Sequence, residues 1–212
     1  MSNRRFFILA AASLAVAGSA QAWSFSFGKG ERVTGSGESA TEIRELGAFD
    51  GISLAGGFKV LVRQGSSGKV ELKADKNLLS YIETKVVEGS KGRTLEIAPK
   101  RGFSLNYSTA PQLTLEVAQL RLISIAGSGD VKVEPMKTPA VEANIAGSGN
   151  IIFDQLNSDS LGLKVSGSGA VTAAGRTGTL NISVAGSGDV KARELEASEA
   201  KVSIAGSGDV QL

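Results

Sequence analysis

Cysteine and histidine are both absent from these 212 residues. Their absence removes the disulfide staple of small exported domains, the usual zinc ligands and the imidazole base of most hydrolases. An excess of one charge is missing as well: 23 Lys and Arg stand against 21 Asp and Glu, a formal net charge of +2. Loss of residues 1–22 would take Arg4 and Arg5 and no acid, leaving the remainder formally neutral. No basic stripe offers itself to nucleic acid, and no polybasic run to anionic lipid. Helical periodicity is lacking throughout, and no series of lipid-facing strands suggests a membrane barrel.

What is abundant is glycine, 27 residues of it, and its placement is regular. The block Ile-Ala-Gly-Ser-Gly-Asp-Val and its variants place glycine pairs at Gly127 and Gly129, Gly147 and Gly149, Gly167 and Gly169, Gly186 and Gly188, and Gly206 and Gly208. The steps between the first glycines are 20, 20, 19 and 20 residues. Around each pair the apolar residues fall on alternate positions, which is strand periodicity. Ile125, Ile145, Val165, Val184 and Ile204 lie two before the first glycine, and Ile123, Ala143, Leu163, Ile182 and Val202 four before it. Val131, Ile151, Val171, Val190 and Val210 lie four after. Ser124, Asn144, Lys164, Ser183 and Ser203 fall between them, toward solvent.

Each unit therefore reads as strand, Gly-Ser-Gly corner, strand, and a shorter return past Met136, Leu156 or Leu195. A fixed period of this size predicts an all-β, right-handed parallel β-helix, a single-stranded solenoid with coils of about 20 residues. Stacking at roughly 4.8 Å would align equivalent side chains into a shared core. The corner glycines supply positive φ, and the serine hydroxyl between them is expected to satisfy turn backbone. A phosphate cradle is disfavoured, because a second strand rather than a helix follows the glycines.

Three segments divide the chain. Residues 1–22 read as a secretory signal, with Arg4 and Arg5, an apolar stretch from Phe6 to about Gly18, and Ala20-Gln21-Ala22 as the cleavage site. Export follows, to the periplasm, the cell surface or the medium, with no integral membrane segment after signal removal. Residues 23–47 form a leader or cap, and 48–212 the main domain, with irregular coils over 48–110 and regular ones over 111–212. Gly56-Gly57 stands where a corner is expected.

Phe49-Asp50-Gly51-Ile52, Gln64-Gly65, the run Ala74-Asp75-Lys76-Asn77-Leu78-Leu79 and the serial Gly-Ser-Gly-Asp units together resemble the bacterial putative auto-transporter adhesin head domain, the GIN domain, from about residue 48 to the end. The resemblance implies a right-handed β-helix exported to the envelope or surface, with no assigned catalytic activity. The chain departs from that pattern at Gly56-Gly57-Phe58, which lacks the Ser and Asp, and in ending at Leu212 inside a repeat.

Candidate site residues are few. Lys100, Arg101 and Tyr107 lie in the longest irregular stretch, 99–111, and could form a cationic ligand site on a projecting loop or simply a solvated one. Trp23 alternates with Phe25 and Phe27, as a capping strand or as an aromatic platform for sugar or lipid. Asp130, Asp189 and Asp209 follow the corners and form a ladder with Asn150 and Ala170. That ladder could bind calcium, or it could be held by Lys132 and Lys191 without an ion. No cofactor is implied. The reading as a whole is an exported, non-enzymatic envelope protein with an adhesin-like binding role, its partners a glycan, the cell wall or a surface protein. Two alternatives stay open: a polysaccharide-acting lyase or hydrolase on the same scaffold, and a structural protein that self-associates through its helix ends.

Overall fold

The computed structural model describes residues 30–66, 68–89 and 91–212. The signal expected at 1–22 and the aromatic alternation at Trp23, Phe25 and Phe27 lie outside these residues. Among the described residues, β1 (Glu31–Thr34) and β2 (Ser39–Glu45) precede β3 (Gly51–Ala55), β4 (Lys59–Gln64) and β5 (Lys69–Asp75). One 3-10 turn at Leu79–Tyr81 leads to β6 (Ile82–Gly89), β7 (Gly92–Pro99), β8 (Phe103–Asn106) and β9 (Gln112–Val117). Then come β10 (Leu122–Gly127), β11 (Asp130–Val133), β12 (Met136–Lys137) and β13 (Ala140–Gly147). The longest strands follow: β14 (Asn150–Gly167), β15 (Ala170–Gly186) and β16 (Asp189–Gly206), before the short β17 (Val210–Gln211).

Fifteen of these strands form one curled, mixed sheet, a half-barrel, while β1 and β8 pair separately. The parallel β-helix solenoid expected from the sequence is therefore not the architecture. Antiparallel pairing overturns it: β2 with β5, β5 with β9, and β6 with β7. The reason is local. Gly89 and Gly92 face each other across a two-residue connection, which can join antiparallel strands but never parallel ones. Alternation of apolar residues states which side chains share a face, and it is the same for either strand direction. Much of 48–110 is thus hairpin and antiparallel edge rather than irregular coil.

Parallel pairing links the glycine-rich segments in register. Leu95, Ile52, Ile123, Ala143, Leu163, Ile182 and Val202 are successive partners from β7 to β16, as are Ile97, Leu54, Ile125, Ile145, Val165, Val184 and Ile204. All are buried except the last of each row, Val202 and Ile204, which are 40% and 45% exposed. Each buried Val, Ile or Leu contributes about 1.5–3 kcal/mol, so the rows are the main source of cohesion. Arg121, just ahead of β10, donates from Nη2 to Asp50 Oδ1 at 3.0 Å. At the other margin Arg44 of β2 donates to the carbonyls of Leu79 and Ile82, both at 2.8 Å, tying the edge strand to the 3-10 turn.

The two corner glycines serve different needs. Gly127, Gly147, Gly167, Gly186 and Gly206 have φ between +120° and +138°, a region costly for other residues. The second glycine is required for space: a Cβ on Gly188 would sit 2.6 Å from Gly169 O of the preceding corner. The serine hydroxyl is not what satisfies the turn. Ser148, Ser168, Ser187 and Ser207 instead donate their backbone N–H to the first glycine carbonyl of the preceding corner, each at 2.9 Å. Their side chains are exposed.

Candidate functional site

A one-residue deficit shapes a recess across the longest strands. Between Phe153 and Leu156 of β14 lie two residues, but between their partners Ala173 and Gly175 in β15 lies one. The register slips back between β15 and β16, where Thr172 and Ala174 pair with Lys191 and Glu194. This deficit is the 19-residue step of the sequence. Bulges of this kind bend strands and re-aim side chains. Gly175, with φ +118°, lets the shortened strand turn against the Leu156 backbone, which a Cβ there would overlap.

Along this bend Met136, Leu156, Gly175 and Leu195 pair in succession. Met136, Leu156 and Leu195 are buried and anchor the bend from inside. Immediately after them Lys137, Asn157, Arg176 and Glu196 form an exposed row, also in register. The result is an open trough of ≈ 670 Å³ crossing the strands, with the small Ala174 and Gly175 between larger polar neighbours.

Several of its side chains are held. Gln64 of β4 closes one end by donating from Nε2 to Lys137 O at 2.8 Å and accepting from Lys137 N–H at 2.9 Å. Arg176 donates from Nε to Glu196 Oε2 at 3.0 Å, and Asp154 pairs with Lys132 at 3.0 Å. The side chains of Lys137, Gln155, Asn157 and Glu194 make no hydrogen bond or ion pair among the described residues. Positive Lys137 and Arg176 stand against Asp154, Glu194 and Glu196, with Lys132 beside Asp154 restoring the balance. The arrangement can present amide, carboxylate and guanidinium groups to a polar ligand.

The residues singled out from sequence lie elsewhere. Lys100 and Arg101 sit at the turn between β7 and β8, where Lys100 N–H donates to Tyr81 O at 2.8 Å and Phe103 packs edge-on against Tyr81, ring centres 4.8 Å apart. This stretch includes a strand: β8 runs parallel to β1. Tyr107 turns away to donate its hydroxyl to Gly57 O at 2.6 Å, and burial pushes its phenol pKa up. Its hydroxyl thus braces the Gly56-Gly57 corner.

Asp130, Asn150, Ala170 and Asp189 are successive partners on adjacent strands. Asp130 and Asp189 are three strand steps apart, about 14 Å, too far to share an ion. Asp130 accepts from the Asn150 amide at 2.7 Å, and Asp189 Oδ1 from Asp209 N–H at 3.2 Å. Lys132 reaches Asp154 rather than Asp130. Among the described residues no three His, Cys, Asp or Glu side chains cluster as metal ligands. The trough escaped sequence reasoning, although the 19-residue step and the polar residue after each of Met136, Leu156 and Leu195 were its signal.

Solved structures with this fold include a protein described as a putative lipid binding protein from Parabacteroides distasonis. It is 23% identical, with TM-score 0.64, covering 86% of this chain and all of that one. Another, described as a putative adhesin from Parabacteroides merdae, is 20% identical with TM-score 0.65, covering 85% and 83% of the two chains. A third, a putative adhesin from Bacteroides fragilis, is 13% identical with TM-score 0.55, covering 84% and 98%. At these identities the likeness speaks to fold alone. No curated protein matches the chain. The family model described as "Putative auto-transporter adhesin, head GIN domain" matches residues 48–212, and the chain belongs to that family.

Proposed function

We propose that this chain is a non-enzymatic, adhesin-like binding protein exported to the bacterial envelope, which meets its partner through polar strand surfaces. The observation that carries the reading is the contrast between its two sides. Every second residue is locked into the aliphatic rows, while Ser124, Asn144, Lys164, Ser183 and Ser203 are successive partners on the outer face, a repeated polar surface at strand spacing. Family membership and the signal-like residues 1–22 support an envelope location. The lipid-binding description of one structural relative fits less well, because the trough is lined mainly by charged and amide groups. The test is binding of the labelled full chain to isolated cell envelopes and to arrayed glycans and surface proteins, together with fractionation of expressing cells. Saturable binding and recovery outside the cytoplasm are expected; retention in the cytoplasm with no saturable binding would overturn the reading.

A second reading, self-association, is favoured by one observation. Ile204 and Val202 are exposed where their partners Val184 and Ile182 are buried, leaving an apolar strand flank. Light scattering across a concentration series tests it, with Ile204→Lys expected to abolish any dimer and a strictly monomeric chain counting against it.

A further inference from the structure

We infer that the trough across β12, β14, β15 and β16 is a binding site for an extended glycan strand lying across the strands. The inference rests on the adhesin-like reading above and gives it a place and a ligand class.

The shape comes first. The trough is open and crosses successive strands, so it suits a polymer that enters from the side rather than a small molecule that must be enclosed. Its polar groups recur at the strand spacing of about 4.8 Å, in the row Lys137, Asn157, Arg176, Glu196. A pyranose chain in an extended form advances by a similar distance per sugar. Consecutive sugars would therefore meet consecutive members of the row.

The chemistry agrees. Vicinal sugar hydroxyls are both donors and acceptors, and they are matched by planar groups that offer two hydrogen-bonding atoms side by side, such as amide, carboxylate and guanidinium. Asn157, Arg176, Glu194 and Glu196 supply all three. The side chains of Asn157, Glu194 and Lys137 have no partner among the described residues, so their bonding capacity is available without breaking a contact there. Arg176 is held by Glu196 and the Lys137 backbone by Gln64, which reduces the ordering cost on binding. The near-balance of charge favours a neutral or zwitterionic glycan over a polyanion. β14 and β15 are paired on both sides, so an extended peptide could add as a strand only along the flank of β16, at the trough's margin rather than across it. Nor does the lining offer the broad apolar surface an acyl chain needs.

Among the described residues no aromatic ring lines the trough, so each sugar contributes only modest affinity and strength must come from length. This gives the inference its signature. Calorimetric or NMR titration of the full chain with chitin oligosaccharides, from the monosaccharide to roughly the hexamer, should show no binding at the short end and increasing affinity with length up to about four sugars, the span of the row. The double variant Asn157→Ala, Arg176→Ala removes exposed groups and should weaken the longest oligomer about tenfold with an unchanged melting curve. Equal affinity of variant and wild type for the oligomer would remove the trough as the site while leaving the adhesin-like reading intact. Binding only to phosphatidylglycerol vesicles or to an extended peptide, with no oligosaccharide bound, would overturn the glycan assignment. Loss of saturable binding to whole envelopes, measured in parallel, would instead count against the broader reading.

Discussion

Gln64 and Lys137, 73 positions apart in the chain, exchange two hydrogen bonds in which the Gln64 side-chain amide takes the place of a neighbouring peptide group. The same amide nitrogen donates to Ala118 O at 3.1 Å. One side chain thus ties β12 to the end of β4 and sets one limit of the trough. Gln64→Ala should cost about 0.5–1.5 kcal/mol, the modest figure for hydrogen bonds that water can replace at an exposed site. Urea melts of the two proteins check this, and Gln64→Glu, which sets a carboxylate oxygen against the Lys137 and Ala118 carbonyls, should cost at least as much as Gln64→Ala.

Burial differs along a single row of partners, and the cost of truncation should follow it. Leu163→Ala removes a fully buried side chain and should destabilise by about 2–5 kcal/mol. Val202→Ala, at the exposed end of the same row, should cost under about 1 kcal/mol. Equal losses in chemical denaturation would mean that Val202 is covered in solution.

At the corners the backbone, not the hydroxyl, does the stacking. Gly167→Ala meets both a φ of +124° and the Gly147 carbonyl, and should destabilise by about 2–4 kcal/mol or prevent folding. Ser168→Ala leaves the Ser168 N–H to Gly147 O bond in place and should change stability by less than about 0.5 kcal/mol. Thermal melts of the pair distinguish the two roles.

Alkaline pH offers an independent check on Tyr107. Burial raises its pKa in the folded state, so the neutral phenol is favoured by folding. The associated stability is fully present below the unfolded value of about 10 and is lost as pH rises through the folded value. Melts from neutral pH to above pH 10 should show that loss in the wild type and a smaller one in Tyr107→Phe. The variant should also be weaker at neutral pH by about 1 kcal/mol, since Gly57 O loses its donor.

Much of the core was legible in the sequence because alternation has one physical meaning in a strand: Ile125, Ile145, Val165 and Val184 face inward together. The corner glycines were legible for the same kind of reason, a conformation few other residues adopt. Strand direction was not. The residues from Val70 to Ile97 alternate as well as those around the corners, and only the tight Gly89–Gly92 connection, a feature of three-dimensional pairing, makes β6 and β7 antiparallel. The trough was hidden because it depends on a residue that is missing from β15 rather than on any residue present. Lys100, Arg101 and Tyr107 drew notice as a polar group in an irregular stretch, yet Tyr107 is committed to Gly57.

The most direct test of the account is a map of amide chemical-shift changes in the full chain as a chitin oligosaccharide or soluble peptidoglycan strand is added. The account predicts that the changes gather on the side-chain amides of Gln155 and Asn157 and on the backbone amides of 136–137, 174–176 and 194–196. Changes gathered instead around Lys100, Arg101 and Tyr107 would contradict it, and changes spread evenly over the outer face with the trough silent would contradict the trough as the site while leaving the adhesin-like reading standing.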